Sequence, residues 1–264
     1  MIPTLRASVR MTLFMMVSLV TVLLVAAGNA VLYFFKDEWR IYWKNSVTSA
    51  WAKITAFVLG LQVEVKGQPP SPPFFLVSNH LSYIDIVLLW QNIDATFVAK
   101  GEIKSWPFFG WATQTLGVLF INRLLRRDVY RVNEKISEAI SSVQGIILFP
   151  EGTTSPGAEV LSFNAPLLEY PATKAMPVHY ATISYTTNDV EKPASRHICW
   201  WGDMEFIPHL WKLLQLKNFR GTITFGEHTV KENSRKELAN KLHAAVQRQF
   251  IPTAEEDKPI TGQE

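Results

Sequence analysis

Three hydrophobic patterns follow one another along the chain. From Met11 to Phe35 nearly every position is apolar, and the breaks are small or weakly polar residues. At ~1.5 Å per residue, a helix of this length matches a hydrocarbon core of ~30 Å. From Trp39 to Val58 apolar residues recur every three or four positions, which is typical of one face of an amphipathic helix. From about residue 61 onward, short apolar runs alternate with amphipathic helical stretches.

The first segment admits three interpretations. Arg6 and Arg10 ahead of it, with the small residues of 26–30, would suit a cleaved signal peptide. Its length also fits a span across the bilayer, although the flanking charges are too even to fix an orientation. The third interpretation is a helix that enters one leaflet and returns, with Gly28 and Asn29 at its weak point.

The second segment favours an anchored protein. Its apolar stripe includes Trp43 and Trp51, whereas Lys44 and Lys53 lie largely elsewhere on the helix. An aromatic stripe opposite lysines suits a helix in the headgroup plane of a membrane. The alternative is that the helix packs on the domain that follows. In either case we predict that residues 1–59 form hydrophobic and amphipathic helices that anchor the chain to a membrane.

The alternating pattern predicts an α/β domain over residues 60–251, a layered mixed sheet flanked by helices. The predicted helices are Asp128–Gln144, Phe206–Leu216 and a third from Ser234 to about Phe250. The acidic stretch after Pro252 predicts a disordered tail over residues 252–264. The predicted strands are Leu61–Val65, Phe74–Val77, Thr96–Ala99, Val118–Asn122, Ile146–Phe149, Pro177–Tyr185, Ile198–Trp201 and Thr222–Phe225.

Composition narrows the class of protein. Hydrophobic residues make up 48% of the chain, with nine tryptophans and sixteen phenylalanines, and such an aromatic surplus indicates contact with a bilayer. A net charge of +3 gives no case for nucleic acid as a partner. Cys199 is the single cysteine, which excludes an intrachain disulfide and a thiolate zinc site. We therefore expect no metal in the site.

A histidine and an aspartate stand five positions apart in Asn-His-Leu-Ser-Tyr-Ile-Asp, residues 79–85. His80 follows an apolar run and should lie just beyond a strand, and Asp85 should lie in the first turn of the next helix. The carboxylate would then hold one ring nitrogen protonated and leave the other as a base near neutral pH. The alternative from spacing alone is a structural histidine beside a helix-capping aspartate.

Further polar residues follow other predicted strands. Lys100 and Arg123 each come at the end of an apolar run, and the planar guanidinium of arginine suits phosphate or carboxylate. In the Phe-Pro-Glu-Gly-Thr stretch, Glu151 could accept from a substrate hydroxyl or pair with Arg123. Gly152 would let the backbone approach a ligand closely, and Thr153 offers a hydroxyl. A plain turn after a buried strand is the alternative for this stretch.

Several catalytic motifs are missing from the sequence. It contains no Gly-x-Ser-x-Gly elbow, and its cysteine lies far along the chain, so a covalent acyl-enzyme has no obvious nucleophile. It also contains no Walker loop, dinucleotide-binding glycine fingerprint or His-Glu-x-x-His zinc helix. A base without a nucleophile suggests that one substrate attacks the other directly.

The order of these motifs resembles the glycerolipid acyltransferase family typified by 1-acylglycerol-3-phosphate acyltransferase. The resemblance covers roughly residues 60–230, and a segment from Val98 to Gly110 also looks like the family. The four blocks that carry it are Asn79 to Asp85, Gly117 to Arg123, Phe149 to Ser155, and Met176-Pro177-Val178.

The resemblance implies a role for each motif. It implies His80 as general base and Asp85 as the residue that orients it. It implies transfer of a fatty acyl group from acyl-CoA or acyl carrier protein to a lysolipid hydroxyl, with 1-acylglycerol-3-phosphate giving phosphatidic acid, and no further cofactor. A membrane-anchored enzyme at the bacterial inner membrane with a cytosolic active site is expected. The acceptor would be bound by Lys100, Arg123, Glu151, Gly152 and Thr153.

One departure from the family pattern bears on the acceptor. Members that form phosphatidic acid usually carry arginine where this chain has Thr154. A diester lysophospholipid or a lyso-ornithine lipid therefore stays open as acceptor, since the Glu-Gly-Thr-Thr form resembles bacterial lyso-ornithine lipid acyltransferases. Arg126 or Arg127 could compensate for the lost cation. The rival functions are a lipid hydrolase or transacylase, and a lipid-binding protein without activity.

Overall fold

The structure, a computed structural model, describes residues 2–121 and 126–253. Short 3-10 turns lie at Leu32–Phe34, Gly101–Ser105 and Ala165–Leu168. The helices and strands are α1 (Pro3–Val31), α2 (Asp37–Leu59), β1 (Leu61–Lys66), β2 (Phe75–Ser78), α3 (Asp85–Asn92), β3 (Ala95–Lys100), α4 (Phe109–Thr115), β4 (Leu119–Ile121), α5 (Arg126–Ala139), β5 (Gly145–Leu148), α6 (Glu169–Thr173), β6 (Val178–Thr186), α7 (Ala194–His197), α8 (Phe206–Leu214), β7 (Phe219–Phe225) and α9 (Arg235–Gln249).

The strands of the described residues form one mixed sheet in the order β1-β7-β6-β2-β5-β3-β4. Strands β2 to β6 run parallel to one another, β7 runs antiparallel to β6, and β1 runs parallel to β7. The predicted α/β layered sheet with flanking helices is confirmed. Because the carboxyl ends of β2, β3 and β5 open on the same edge, residues that follow these strands are brought together there.

Both faces of the sheet are covered. On β2, Leu76 packs with α2, α3 and α8, whereas Phe75 and Val77 face the opposite layer with α9. This alternation follows from the two-residue period of a strand. Since apolar side chains leave on both sides, the central strands read as continuous hydrophobic runs, as expected for parallel strands with two covered faces.

Helices α1 and α2 form an antiparallel hairpin. Within the described part of the chain, the segment Pro3–Phe34 is the one helical stretch long and apolar enough to cross a membrane, with a mean hydropathy of 2.3. The chain reverses around Leu32–Phe34, so the bend is not at Gly28 and Asn29, where the third interpretation of this segment placed it. Gly28 instead allows α1 to pack closely on α2, because a Cβ at this position would lie 2.0 Å from Nε1 of Trp43.

Helix α2 packs on the following domain through a face that combines polar residues with Ala52, Ala56 and Leu59. Lys44 and Asn45 are buried; Lys44 Nζ donates to Gln144 Oε1, and Asn45 Nδ2 donates to the Val143 carbonyl at 2.7 Å. Desolvation lowers the pKa of Lys44 to about 7. Trp43 and Ile54 of the apolar stripe are exposed. The alternative in which α2 packs on the domain is therefore confirmed, and a position of its exposed face in the headgroup plane stays a prediction.

Both ends of the hairpin are fixed to the domain. At one end, the guanidinium of Arg10 donates to the Leu216 carbonyl at 2.5 Å and the Lys217 carbonyl at 3.1 Å, just past the end of α8. At the other end, Ser142 Oγ donates to Glu38 Oε1 at 3.0 Å. The hairpin therefore lies along the domain and does not project from it.

Two details of the sequence prediction were wrong. The segment Ile198–Trp201 is not a strand: the Ile198 N–H donates to the Ala194 carbonyl and the Trp200 N–H to the Leu81 carbonyl, each at 2.9 Å. Its apolar run reflects burial beneath the 80–85 loop. Helix α5 ends at Ala139, earlier than the predicted Gln144. Most of the predicted disordered tail, residues 254–264, lies outside the described residues.

Candidate active site

His80 and Asp85 meet in the loop between β2 and α3. His80 Nδ1 lies 2.7 Å from Asp85 Oδ2. The same oxygen accepts from the backbone N–H groups of Leu81 at 2.8 Å and Ser82 at 3.1 Å, so the loop wraps around the carboxylate. Two side chains five residues apart in a regular helix would lie about 140° apart around the helix axis. Because His80 precedes the helix, its ring can fold back onto Asp85.

Asn79 fixes this loop to the neighbouring strand β6. Its side-chain amide donates to the Ile183 carbonyl at 2.9 Å and accepts from the Ile183 N–H at 2.7 Å. This bidentate contact replaces the sheet ladder at the point where β2 has ended. The asparagine therefore holds His80 at the edge of the sheet.

The His80 ring is stacked on an aromatic wall. Its centroid lies 3.9 Å from that of Phe149 at an interplanar angle of 9°, and Phe149 is stacked in turn on Phe97. The imidazole side chain keeps 21% of its surface exposed, whereas Asp85 has none. With Nδ1 directed at the buried carboxylate, Nε2 is the ring nitrogen that can exchange a proton with a substrate.

The turn after β5 is joined to the His80 loop through the backbone. The His80 N–H donates to Glu151 Oε1 at 3.3 Å, and the His80 carbonyl accepts from the Ser155 N–H at 3.1 Å. Gly152 supports this turn with a φ of 78°, a conformation that side chains other than glycine rarely adopt. The two sequence motifs that suggested chemistry are thus in direct contact.

Glu151 is a carboxyl group in an apolar place. It is 5% exposed, and its Oε2 has no hydrogen-bond partner within the described residues. Burial raises the pKa of Glu151 to about 9, and the charge of Asp85 acts in the same direction, while the His80 N–H acts against it. At neutral pH this side chain is a neutral acid that can donate a hydrogen bond from one oxygen and accept with the other.

The other predicted site residues lie around this edge, with one exception. Lys100 is exposed at the end of β3, which pairs with β5, and Thr153 is exposed in the turn after β5. Arg123 follows β4 by two residues and lies outside the described residues, so the predicted Glu151–Arg123 pair has no description here. The structure therefore brings His80, Asp85, Glu151, Gly152 and Thr153 together, with Lys100 on the adjacent strand.

Sequence reasoning missed two aromatic residues of the site. Tyr185, on β6, donates its hydroxyl to Asp85 Oδ1 at 2.6 Å, and Phe149 forms the wall behind His80. Phe149 stood inside a recognised motif, but nothing there suggested stacking. Tyr185 is one hundred residues from Asp85, and its position in a buried strand carried no local signal of contact.

Comparison with known proteins places the chain in a family. A family model described as Acyltransferase matches residues 62–184. A lyso-ornithine lipid O-acyltransferase of Rhodobacter capsulatus is 32% identical over 77% of this chain and 75% of its own length. A 1-acyl-sn-glycerol-3-phosphate acyltransferase of Neisseria gonorrhoeae is 29% identical over 69% of this chain and 71% of its own length.

The fold also has a solved counterpart. The crystal structure of the 1-acyl-sn-glycerophosphate acyltransferase PlsC from Thermotoga maritima matches 94% of this chain and 97% of its own chain, with a TM-score of 0.64 and 21% identity. That similarity concerns the fold. Taken with the family model and the sequence relatives, the ordered motifs and the His80–Asp85 contact lead to one conclusion: the chain belongs to the acyltransferase family and is an O-acyltransferase of the lysolipid type.

Proposed function

We propose that the chain moves a fatty acyl group from a thioester directly onto a lysolipid hydroxyl, with His80 as the general base. The observation that carries this proposal is the 2.7 Å contact of His80 Nδ1 with the buried Asp85 carboxylate, beside a turn that holds a neutral Glu151. The sequence contains no serine elbow and Cys199 is buried. Direct attack by the acceptor hydroxyl is therefore proposed, because it requires no nucleophile from the protein.

In this reaction each proton transfer has a defined donor and acceptor. His80 Nε2 takes the hydroxyl proton as the acceptor oxygen attacks the thioester carbonyl, and Asp85 stabilises the resulting imidazolium. When the carbon–sulfur bond breaks, the imidazolium returns the proton to the leaving thiolate. A hydrogen-bonded carboxylate that orients the imidazole and stabilises its charged form is a recurring device of acyl transfer.

The residues around His80 are proposed to bind the acceptor. Neutral Glu151 can hydrogen-bond a lipid polar group without placing a second negative charge beside Asp85. Gly152 and Thr153 would present backbone and hydroxyl groups from the same turn. Lys100, exposed on the adjacent strand, and Arg123, two residues beyond β4, would face the acidic part of the headgroup.

We infer that the acceptor is a lyso-ornithine lipid. Thr154 takes a position where an arginine would favour a phosphate monoester, and it lies half-buried in the turn that joins His80. Relatives named lyso-ornithine lipid O-acyltransferase, from Rhodobacter capsulatus and others, support this choice. The second candidate is 1-acylglycerol-3-phosphate, which the Neisseria gonorrhoeae relative supports. Either acyl-CoA or acyl carrier protein would supply the acyl group.

The hairpin is proposed to anchor the enzyme in one leaflet. Arg10 fixes one end of α1 to the domain, and Glu38 fixes the far end of the hairpin to Ser142. A helix held to the same domain at both ends cannot cross the bilayer, because the domain would have to lie on both sides. We place the protein at the bacterial inner membrane with its site facing the cytosol, where acyl thioesters are made.

A lysolipid panel tests the reaction and the acceptor together. Purified protein in vesicles receives labelled acyl-CoA or acyl carrier protein with lysophosphatidate, lysophosphatidylglycerol, lysophosphatidylcholine or lyso-ornithine lipid. The highest kcat/KM is expected with lyso-ornithine lipid. Acyl release without an acceptor would indicate a hydrolase, and transfer between two lysolipids without a thioester would indicate a transacylase.

Replacement of the base tests its role. His80→Ala should lower kcat by about 10²–10⁴-fold, the usual contribution of general base catalysis, while the protein stays folded and bound to vesicles. His228→Ala is the matched control, because His228 is exposed and follows β7, whose carboxyl end lies at the opposite edge of the sheet. Turnover of His80→Ala near that of the control would remove His80 from the mechanism.

A further inference from the structure

The two oxygens of the Asp85 carboxylate serve different partners. Oδ2 accepts from the backbone N–H groups of Leu81 and Ser82 and faces His80 Nδ1. Oδ1 accepts from the hydroxyl of Tyr185 at 2.6 Å. The carboxylate has no exposed surface, so water cannot replace a lost partner. An unpaired oxygen on a buried carboxylate is unfavourable, and each of these contacts therefore constrains its orientation.

Tyr185 is held too firmly to move its hydroxyl elsewhere. It lies on β6 inside the sheet and is fully buried. Its cross-strand partner is Gly221, where a Cβ would lie 3.1 Å from the tyrosine ring, so the missing side chain makes room for the ring. Its backbone N–H donates to Thr253 Oγ1 at 3.0 Å. These contacts fix the orientation of the Tyr185 ring, and its hydroxyl is therefore held against Asp85.

The other titratable groups near Asp85 and Tyr185 are neutral near pH 7. Burial raises the pKa of Glu151 to about 9 and raises those of the Cys199 thiol, of Tyr83 and of Tyr185 itself above their ordinary values. These groups come from the turn after β5, the segment after α7, the 80–85 loop and β6. Among the described residues, His80 is the histidine that contacts Asp85 directly.

We propose that Tyr185 is a positioning residue for acyl transfer. Its hydroxyl holds Asp85 in the rotamer that points Oδ2 at His80, and it takes up part of the carboxylate charge that would otherwise act on the imidazole. This inference rests on the proposed function, in which His80 is the base. A merely core-filling tyrosine would affect stability without changing how the site responds to pH.

The first test is Tyr185→Phe, which removes the hydroxyl and keeps the ring. Loss of a hydrogen bond to a buried charged group should lower kcat about 10- to 100-fold, with KM for lysolipid and thioester unchanged. The carboxylate then acts more strongly on the imidazolium, so the acidic limb of the pH–rate profile should move to higher pH. Tyr180→Phe, the same change on the same strand, is the control. A Tyr185→Phe profile that matches the control overturns the inference.

A second variant keeps the test decisive if Tyr185→Phe does not fold. Site-specific 3-fluorotyrosine at position 185 keeps the shape and donates a stronger hydrogen bond. It should move the acidic limb to lower pH, opposite to the phenylalanine variant. A shift in the same direction as Tyr185→Phe, or no shift, contradicts a role through the hydrogen bond to Asp85.

A readout without turnover separates this inference from the proposed function. In ¹⁵N-histidine-labelled protein, the His80 signal is assigned by its loss in His80→Ala and followed through a pH titration. The titration midpoint should rise in Tyr185→Phe and stay in Tyr180→Phe. If no lysolipid is acylated but the midpoint rises, the proposed function fails and the Tyr185 coupling stands. If lysolipid is acylated and the midpoint does not move, the proposed function stands and the Tyr185 coupling fails.

Discussion

The carboxyl group of Glu151 shows how one buried residue ties pH to stability. It titrates near 4.5 in an unfolded chain, and burial raises its pKa in the fold to about 9. Between these values the unfolded chain has released a proton that the folded chain keeps. The unfolded state then binds fewer protons, so the free energy of unfolding falls as pH rises through this window.

Glu151→Gln should remove that pH dependence, since the amide imitates the neutral acid. We expect the difference in melting temperature, variant minus natural protein, to become more positive from pH 5 to pH 8. For a chain of this size, each ~1 kcal/mol corresponds to roughly 2–4 °C. Scanning calorimetry in detergent measures the difference, with the exposed Glu159→Gln as control. A constant difference across this pH range would show that Glu151 ionises freely in the fold.

At the scale of elements, helix α2 has opposite surroundings on its two faces. The polar residues Lys44 and Asn45 bond to residues just before β5, whereas the apolar residues Trp43 and Ile54 are exposed. At these positions the arrangement is opposite to that of a soluble protein, where polar residues face outward and apolar residues face the core. This orientation is expected where the outer surroundings are lipid.

The contact between α1 and α2 depends on the missing side chain at Gly28. The Trp43 indole fills the space that a Cβ would need, and its Nε1 donates to the Leu24 carbonyl at 3.0 Å. In Gly28→Ala the indole must move and lose that bond. This cost should exceed the gain of ~1 kcal/mol in helix propensity from glycine to alanine. We expect a lower melting temperature and faster proteolysis at the Leu32–Phe34 turn.

Ala27→Ser is the matched control, because it adds one heavy atom at an exposed neighbouring position. It should melt and be cleaved like the natural protein. A Gly28→Ala variant at least as stable as this control would mean that the hairpin tolerates separation of its helices, and that Gly28 has no part in their contact.

At the scale of the whole molecule, exposed apolar side chains are concentrated on the hairpin. They occur along α1, at the turn and along α2, and Phe34 and Phe57 are 89% and 85% exposed. A water-soluble surface would not carry such a patch without a partner. In an enzyme whose substrates are lipids, we expect this surface to lie in the bilayer and to keep the His80 edge close to the membrane.

Two charges on this surface should release the protein from membranes. Burial of one phenylalanine side chain contributes about 1.5–3 kcal/mol, so Phe34→Lys with Phe57→Lys should weaken binding to vesicles by at least ~100-fold. The fold should persist, since both side chains are almost fully exposed. Val190→Lys, at an apolar residue 96% exposed outside the hairpin, is the control in vesicle flotation. Unchanged flotation of the double variant would place the membrane contact elsewhere.

Local patterns in the sequence determined the elements and most of the proposed site. Strand periodicity gave β1 to β7 nearly at their bounds, and loops after β2, β3 and β5 could be expected on one edge because the strands were predicted within one sheet. His80 and Asp85 were suggested because five residues around a helix start bring two side chains together without help from the rest of the chain. Such information is short-range, and the sequence carries it directly.

Tertiary structure decided which face each element shows and which distant residues meet. Ile198–Trp201 is apolar because it is buried under the 80–85 loop, and burial alone does not make a strand. Lys44 and Asn45 of α2 lie inward because Gln144 and the Val143 carbonyl satisfy them there. Tyr185 reaches Asp85 because β6 lies beside β2 in the sheet. The order of strands sets these contacts between residues far apart in sequence, and no local periodicity encodes that order.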